Sequence, residues 1–181
     1  MNLSPSLTLD ARLARIRLLL LDVDGVLTDG RLYYGPEGEC LKAFNVRDGL
    51  GLRLVQNAGI QLGIVTGRKG PALAARCRDL GIELVFSGVR DKLALLPTIS
   101  ARTGVPAEET AFVADDLVDL ALMGAVGLAV AVADADPAVR RAAHWVTEAR
   151  GGHGAVREVC QRLLVAQGRW DGIVDQMRSP R

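Results

Sequence analysis

The sequence predicts a three-layer α/β domain built on a parallel β-sheet. Short, nearly continuous apolar runs are typical of strands buried on both faces of such a sheet. Six runs of this kind occur, at residues 16–21, 62–65, 84–86, 111–114, 128–132 and, more weakly, 144–147. Helical patterns separate them, and Gly59, Gly81 and Gly104 stand where helices would end. Strands that alternate with helices in this way indicate parallel βαβ units.

The remaining elements follow in chain order. Residues 1–10 are polar and contain Pro and Ser, which predicts a loose tail, and residues 12–15 predict a short helical turn before the first strand. Helices are predicted between the strands, at residues 49–57, 72–80, 92–102, 117–123 and 137–143.

One segment, residues 31–45, interrupts the first strand-to-helix connection. Two strand-like runs flank Gly35-Pro36-Glu37-Gly38, which predicts a β-hairpin with a four- or five-residue turn. The insertion lies at the edge where an open α/β sheet binds its ligand. A surface decoration and a lid or oligomer contact beside the site both fit this position.

Composition narrows the classes of function. Lys and Arg number 22 against 21 Asp and Glu, and no block of like charge suggests a nucleic-acid partner. Cys40, Cys77 and Cys160 lack metal-ligand spacing, so we expect reduced thiols. No run approaches the roughly 18 apolar residues of a membrane span. We therefore expect a soluble, cytoplasmic protein without a membrane partner.

Two acids follow the first predicted strand directly. Asp22 and Asp24 stand where that strand emerges from the sheet, and buried Asp is costly unless it is paired or bound to metal. Acids at this spacing can divide the work of phosphoryl transfer, with one as nucleophile and the other as general acid and base. An Asx-type turn after a strand is the alternative for this pair taken alone.

Cations and a hydroxyl follow the next two strands. Thr66-Gly67-Arg68-Lys69 supplies a hydroxyl, a free backbone N–H and two positive charges, which together can bind phosphate oxygens. Lys92 opens a helix, where the dipole disfavours a cation unless it serves an anion. The alternatives are an ordinary loop and a solvated pair between Lys92 and Asp91.

Further acids follow the strand at 111–114. Asp115, Asp116 and Asp119 fit a helix cap on their own. However, Asp22, Thr66, Lys92 and Asp115 each follow a different strand, which favours one shared site. Magnesium prefers hard oxygen ligands, and the candidates are Asp22, Asp115 and the backbone carbonyl of Asp24.

These residues resemble the four motifs of the haloacid-dehalogenase superfamily. The matching strings are DVDGVLTDG from residue 22, VTGR from residue 65, Lys92, and DDLVD from residue 115. The resemblance implies a Rossmann-like fold and a Mg²⁺-dependent phosphatase. It makes Asp22 the nucleophile, Asp24 the acid and base, Thr66 and Gly67 phosphate ligands, Lys92 a charge-stabilising group and Asp115 a metal ligand. It gives Asp116 and Asp119 less defined supporting roles.

The strings LKAFNVRDGLGL, GIVTGRK, VGLAVAVADA and GGHGAVREVC are similar to the 3-deoxy-D-manno-octulosonate 8-phosphate (Kdo 8-phosphate) phosphatase family of lipopolysaccharide biosynthesis. The similarity places the domain at residues 16–168, with tails at 1–15 and 169–181. It implies no separate cap domain and a homotetramer whose hairpins pack together.

The family resemblance also suggests contacts for the sugar. Arg68, Lys69 and Arg47 become candidates for the carboxylate of a sugar-acid phosphate. The glycine-rich segment 151–154 is expected to close over the site, with His153 having no catalytic duty. Ala114 departs from the glycine that the family has before its metal-binding acid.

Two alternatives stay open. A phosphatase for a related sugar-acid phosphate, such as deoxy-nonulosonate 9-phosphate, would use the same motifs. A phospho-receiver module also gathers acids, Thr, Lys and Mg²⁺ at a sheet edge. Asp24, two residues after the predicted nucleophile, favours turnover over a lasting phosphoryl mark.

Overall fold

A six-stranded parallel sheet forms the centre of the computed structural model, which describes residues 7–178. Its strand order is β5-β4-β1-β6-β7-β8, and every neighbouring pair is parallel. The predicted sheet and all six of its strands are confirmed. The strands of the chain are β1 (Leu18–Leu21), β2 (Tyr33–Gly35), β3 (Gly38–Leu41), β4 (Gln61–Thr66), β5 (Leu84–Ser87), β6 (Thr110–Ala114), β7 (Leu128–Ala131) and β8 (Trp145–Val146).

Helices cover the sheet. They are α1 (Leu9–Arg15), α2 (Val46–Asn57), α3 (Pro71–Leu80), α4 (Leu96–Thr103), α5 (Leu120–Met123), α6 (Pro137–Ala142), α7 (Ala155–Ala166) and α8 (Trp170–Arg178). The five predicted helices are confirmed, but two begin with a 3₁₀ turn, Leu93–Leu95 before α4 and Leu117–Asp119 before α5. Pro97 lacks an N–H and is tolerated only in a first turn, which fits the start of α4 at Leu96. None of the helices within residues 7–178 is long and apolar enough to cross a membrane.

Helices α7 and α8 were not predicted, and α1 was predicted only as a short helical turn at residues 12–15. Helix α1 occupies residues 9–15 of the predicted N-terminal tail, because Thr8 caps it by accepting a hydrogen bond from the Ala11 N–H and Leu13 is fully buried. Helix α8 occupies residues 170–178 of the predicted C-terminal tail. Helix α7 buries Val156, Val159, Cys160, Leu163 and Leu164, a helical spacing that the sequence contained. The parts of the predicted tails at 1–6 and 179–181 lie outside the described residues.

The hairpin is present but tighter than predicted. Gly35 and Gly38 pair with each other across the two strands, so only Pro36 and Glu37 form the turn. The prediction of a four- or five-residue turn was wrong because it counted both glycines as loop. The hairpin forms its own two-stranded sheet, separate from the central one.

The core lies on both faces of the central sheet. All four leucines of β1 are fully buried between β4 and β6. Leu21, the last residue of β1, is level with Ile64 of β4 and Val113 of β6. Residues that follow these three strands therefore emerge together at one edge.

Candidate active site

The predicted site residues meet at the carboxyl edge of the sheet. Asp22 follows β1, Thr66 ends β4 and Asp115 follows β6, while Lys92 precedes the 3₁₀ turn after β5. The Asp22 N–H donates to the carbonyl of Val113 at 3.1 Å, which continues the β1–β6 ladder to the edge. The strand register thus brings together side chains that lie far apart in the sequence.

One cavity of about 530 Å³ collects most of them. Asp22, Asp24, Lys92 and Asp115 line it, together with Thr66, Gly67 and Arg68. Arg47 and Lys69 do not line this cavity, and both are exposed. Arg90 lines it as well and was not predicted, since it gave no pattern apart from its closeness to Lys92.

Lys92 joins two acids at the centre of the cavity. Its Nζ lies 2.9 Å from Asp22 Oδ2 and 2.5 Å from Asp119 Oδ1, and its side chain is 3% exposed. Burial disfavours the charged form, but Asp22 and Asp119 more than offset this, so the pKa of Lys92 is raised. Asp91, the alternative partner, instead accepts a hydrogen bond from the N–H of Ala94. Lys92 therefore carries its charge where the predicted nucleophile lies.

Three acids crowd around this lysine. Asp22, Asp115 and Asp119 each place a carboxylate oxygen within 4.8 Å of the others. Burial, followed by the charge of Asp22, raises the pKa of Asp115 to about 8 and that of Asp119 to about 6. Asp22 Oδ1, Asp115 Oδ1 and Asp119 Oδ2 are buried and have no hydrogen-bond partner in the part of the chain that the structure describes.

Unpartnered buried carboxylate oxygens are costly, and a hard divalent cation satisfies them. The donor set therefore fits magnesium. Sequence reasoning gave Asp119 no definite role, because its helix-cap explanation was adequate and only the fold shows that it is fully buried beside Lys92. The backbone carbonyl of Asp24 as a third ligand stays a prediction.

Thr66 lines the cavity, and hydrogen bonds from the following loop hold it in place. Its side chain is buried, and its hydroxyl oxygen accepts a hydrogen bond from the Arg68 N–H at 3.4 Å. Its carbonyl accepts from the Val89 N–H at 3.0 Å, which fixes the end of β4. The hydroxyl hydrogen is thereby left available to an oxygen in the cavity, next to the exposed Gly67.

Close backbone packing shapes the loop after β1. Gly25 has φ +83°, and a Cβ there would lie 2.0 Å from Asp115 Oδ2, so only glycine fits. Behind it, a Cβ on Gly151 would lie 1.7 Å from the Gly25 carbonyl oxygen, and the Gly152 N–H donates to the Val26 carbonyl at 2.9 Å.

The glycine-rich segment 151–154 therefore supports this loop from outside the cavity. The expectation that it closes over the site was wrong for this chain, since none of its residues lines the cavity. His153 is exposed, and its Nδ1 lies 2.8 Å from the Gly151 carbonyl oxygen. The methyl group of Ala114 is buried in β6 and does not reach the cavity either.

The hairpin reaches the site through a network of ion pairs. Lys42 donates a hydrogen bond to Asp24 Oδ1 and lies 2.7 Å from Glu39 Oε1. Arg68 lies 3.1 Å from Glu39 Oε2 and donates to the Tyr34 hydroxyl at 2.8 Å. Lys42, Glu39 and Tyr34 were missed because nothing in a short hairpin indicates which side chains point toward the sheet edge.

A parallel sheet whose carboxyl edge carries these acids and this lysine defines a haloacid dehalogenase-like hydrolase. The haloacid dehalogenase-like hydrolase family matches residues 82–159. Over 161 residues the chain is 49% identical to the 3-deoxy-D-manno-octulosonate 8-phosphate phosphatase KdsC of Escherichia coli K12, covering 89% of this chain and 86% of that protein. The chain belongs to this phosphatase family.

Solved structures agree with this assignment. The crystal structure of 3-deoxy-D-manno-octulosonate 8-phosphate phosphatase from Yersinia pestis has a TM-score of 0.88 and 47% identity, covering 90% of this chain and 88% of that one. The corresponding enzyme from Moraxella catarrhalis, in complex with a magnesium ion, a phosphate ion and KDO, has a TM-score of 0.90 and 36% identity. In that comparison 93% of this chain and 97% of the other are covered.

Proposed function

We propose that this protein hydrolyses 3-deoxy-D-manno-octulosonate 8-phosphate to the free sugar acid and phosphate, with Mg²⁺ as cofactor. Family membership supports the substrate, since the relatives carry that activity in their names. The observation that carries the chemistry is Lys92, whose ammonium lies 2.9 Å from Asp22 in a cavity lined by acids and phosphate-binding groups.

Asp22 attacks the phosphorus atom in the first step. One carboxylate oxygen forms a bond to phosphorus while the bond to the sugar oxygen breaks, which leaves an acyl phosphate on Asp22. Lys92 neutralises the charge that would otherwise repel the attacking carboxylate. Thr66 and the Gly67 N–H hold the phosphate oxygens. Asp24 gives its proton to the sugar oxygen, so the sugar leaves as an alcohol.

The second step returns the enzyme to its starting state. Asp24, now ionised, takes a proton from a water molecule, and the resulting hydroxide oxygen bonds to phosphorus while the bond to Asp22 breaks. Phosphate leaves, and Asp22 and Asp24 regain their original forms. Asp22, Asp115 and Asp119 would hold magnesium, which when bound supplies positive charge against the repulsion between acids and phosphate.

Cations around the cavity set the choice of sugar acid. Arg68 and Arg90 line the cavity, which supports them as partners for a substrate carboxylate. Arg47 and Lys69, named from the family resemblance, lie outside the cavity of their own chain. A nine-carbon sugar acid would place its carboxylate one carbon further from the phosphate, beyond the same cations.

The test is phosphate release from a panel of substrates. Purified protein with Mg²⁺ should release phosphate fastest from Kdo 8-phosphate, more slowly from deoxy-nonulosonate 9-phosphate and p-nitrophenyl phosphate, and not after chelation. Asp171→Asn, an exposed change on α8, serves as the matched control and should act like wild type. No release from any substrate, or a stable phosphorylated wild type as in a receiver module, would refute the proposal.

The proposal also places the phosphatase domain at residues 16–168. It further assigns the hairpin to the contact that joins copies of the chain into a homotetramer. Tyr33, Tyr34 and Leu41 on the hairpin are 42%, 65% and 63% exposed, and Tyr33 lies opposite Leu41, so exposed apolar side chains cluster there. Such a cluster supports a contact with a partner. Wild type should elute in size exclusion well above its 19.3 kDa. Leu41→Ser should shift elution toward the monomer, while Met177→Ser, an exposed apolar control on α8, should not. A wild type that elutes as a monomer would refute this assembly.

The proposed pathway and cell compartment are inferred from membership of the same family. The reaction supplies a sugar acid for lipopolysaccharide precursors in the cytoplasm. Deleting the gene should make the cell accumulate Kdo 8-phosphate. Fractionation should find the protein with cytoplasmic markers; recovery with membranes would contradict this localisation.

A further inference from the structure

Lys42 is a buried cation to which the reaction described above gives no role. It follows β3 directly, and its side chain is only 2% exposed. Its ammonium donates to Asp24 Oδ1 and lies 2.7 Å from Glu39 Oε1. Burial disfavours its charge, but the bonds to Asp24 and Glu39 more than offset this, so the pKa of Lys42 is raised. A buried, charged lysine is thus held between two acids.

The two oxygens of Asp24 have different surroundings because of this contact. Oδ1 accepts the hydrogen bond from Lys42. Oδ2 is buried and has no hydrogen-bond partner within residues 7–178, and Arg68 Nε lies 3.8 Å from it. Proton transfer requires a carboxylate oxygen that is not already engaged by a neighbour, and the contact with Lys42 leaves Oδ2 as that oxygen.

Lys42 is poorly placed to bind the substrate itself. It does not line the cavity, although Asp24 and Arg68 do. Both of its carboxylate neighbours belong to this chain, and its small exposed fraction leaves little room for a third. Its position therefore fits a role that acts through Asp24.

We propose that Lys42 is a positioning residue for Asp24. The ammonium holds Oδ1, so that Oδ2 delivers the proton to the leaving sugar oxygen and later accepts one from the attacking water. The hairpin thereby takes part in the proton transfer of the sheet-edge site. This inference rests on the proposed function, because it assigns a partner to the acid and base of that reaction.

Three substrates separate positioning from binding. Lys42→Met should lower kcat/KM for Kdo 8-phosphate and for glucose 6-phosphate, which has no carboxylate, by about 10- to 100-fold each. The value for p-nitrophenyl phosphate should change less than threefold, because its leaving group needs no proton and kcat/KM reports only steps up to the phosphoenzyme. Lys42→Arg, which keeps the charge, should restore part of the loss.

Other patterns would overturn the proposal. A loss confined to Kdo 8-phosphate and expressed in KM would make Lys42 a substrate ligand. An equal loss on all three substrates, with a lowered melting temperature, would give it a merely structural role. Arg141→Met, which removes an exposed cation from α6, is the matched control and should match wild type.

A double-mutant cycle adds a test that does not depend on the leaving group. In an Asp24→Asn background, Lys42→Met should change kcat/KM less than twofold, because its effect passes through Asp24. A full additional loss in that background would refute the inference. An inactive wild type would refute the proposed function and this inference together, whereas an active wild type with an unchanged Lys42→Met refutes only the inference.

Discussion

Two buried lysines hold carboxylates in this molecule, and their surroundings differ. Lys92 bridges Asp22 and Asp119 at the edge of the central sheet. Asp22 follows β1 and Asp119 lies in the turn after β6, and these two strands pair with each other. Lys42 bridges Asp24 and Glu39 at the base of a two-stranded hairpin. The first lysine is positioned by the core of the fold, and the second by polar contacts on an insertion.

The difference suggests a division of labour. The sheet edge is rigid because its strands are buried on both faces, so it suits the groups that must meet phosphorus. The hairpin has exposed or half-buried strands and contacts the site through charged side chains. The hairpin therefore suits a supporting role, whose importance depends on the substrate, while the sheet edge carries out the same reaction on every substrate.

The largest expected difference between the two lysines is in activity. Lys92→Met removes the cation beside the nucleophile and should lower kcat by about 10²- to 10³-fold on every substrate, including p-nitrophenyl phosphate. Lys42→Met should have a smaller effect that spares p-nitrophenyl phosphate. Steady-state kinetics with three substrates measures both, and equal profiles for the two variants would break the comparison.

The next largest difference between the two lysine variants should be in the free energy of unfolding. Without metal, Lys92→Met leaves buried acids uncompensated and should lower the free energy of unfolding by about 3–5 kcal/mol. Lys42→Met should lower it by about 1–3 kcal/mol, because Asp24 is partly accessible to water. Urea denaturation in a chelator gives both values. A Lys42→Met variant less stable than Lys92→Met would contradict the view that the hairpin lies outside the core.

Magnesium should stabilise the sheet edge specifically. At 100 times its Kd it should raise the free energy of unfolding of wild type by about 2.7 kcal/mol. Asp115→Asn removes a ligand and a repelled charge, so it should be more stable than wild type without metal and respond little to Mg²⁺. Thermal melting with and without Mg²⁺ tests this, and Asp116→Asn is the neighbouring control. If Mg²⁺ raised the melting temperature of Asp115→Asn as much as that of wild type, Asp115 would not be a metal ligand.

Asp48 is a buried acid outside the site, and it gives the smallest expected effect in this comparison. Asp48 has no lysine partner within residues 7–178 and instead accepts a hydrogen bond from the Arg157 N–H, in the first turn of α7, at 2.7 Å. Burial raises its pKa above the usual 3.8, although the hydrogen bonds from Arg157 and Gly154 oppose this.

An acid whose pKa is raised by folding contributes stability at low pH that is lost as the pH rises through the folded value. The unfolding free energy of Asp48→Asn, which keeps the acceptor oxygen, should therefore rise relative to wild type as the pH increases above the usual value of 3.8. Denaturation at several pH values measures this difference. A relative stability that falls with pH would contradict the effect of burial.

The sequence was informative where apolar runs mark the fold. Strands buried on both faces leave continuous runs such as 18–21, and polar residues that follow several of them converge by topology alone. Asp22, Thr66, Lys92 and Asp115 were identified as site candidates in this way, and the structure places them in one cavity.

The rest depended on contacts that no local pattern encodes. Asp119 looked like an ordinary acid of a first helical turn, and its burial beside Lys92 appears only once β5 and β6 are placed in one sheet. Lys42 and Glu39 belong to a short hairpin whose orientation is set by charge pairs across the chain. Helix α7 was a different kind of miss, since its apolar spacing was present in the sequence.

The central claim is that Asp22 carries the phosphoryl group. Asp24→Asn should slow release of that group, so the variant can be mixed with Kdo 8-phosphate and Mg²⁺, quenched in acid and digested for mass spectrometry. We predict phosphate on Asp22, and none when Asp22→Asn is added to the same variant. Phosphate on another residue, or an active wild type whose Asp24→Asn variant never gains phosphate, would contradict the account.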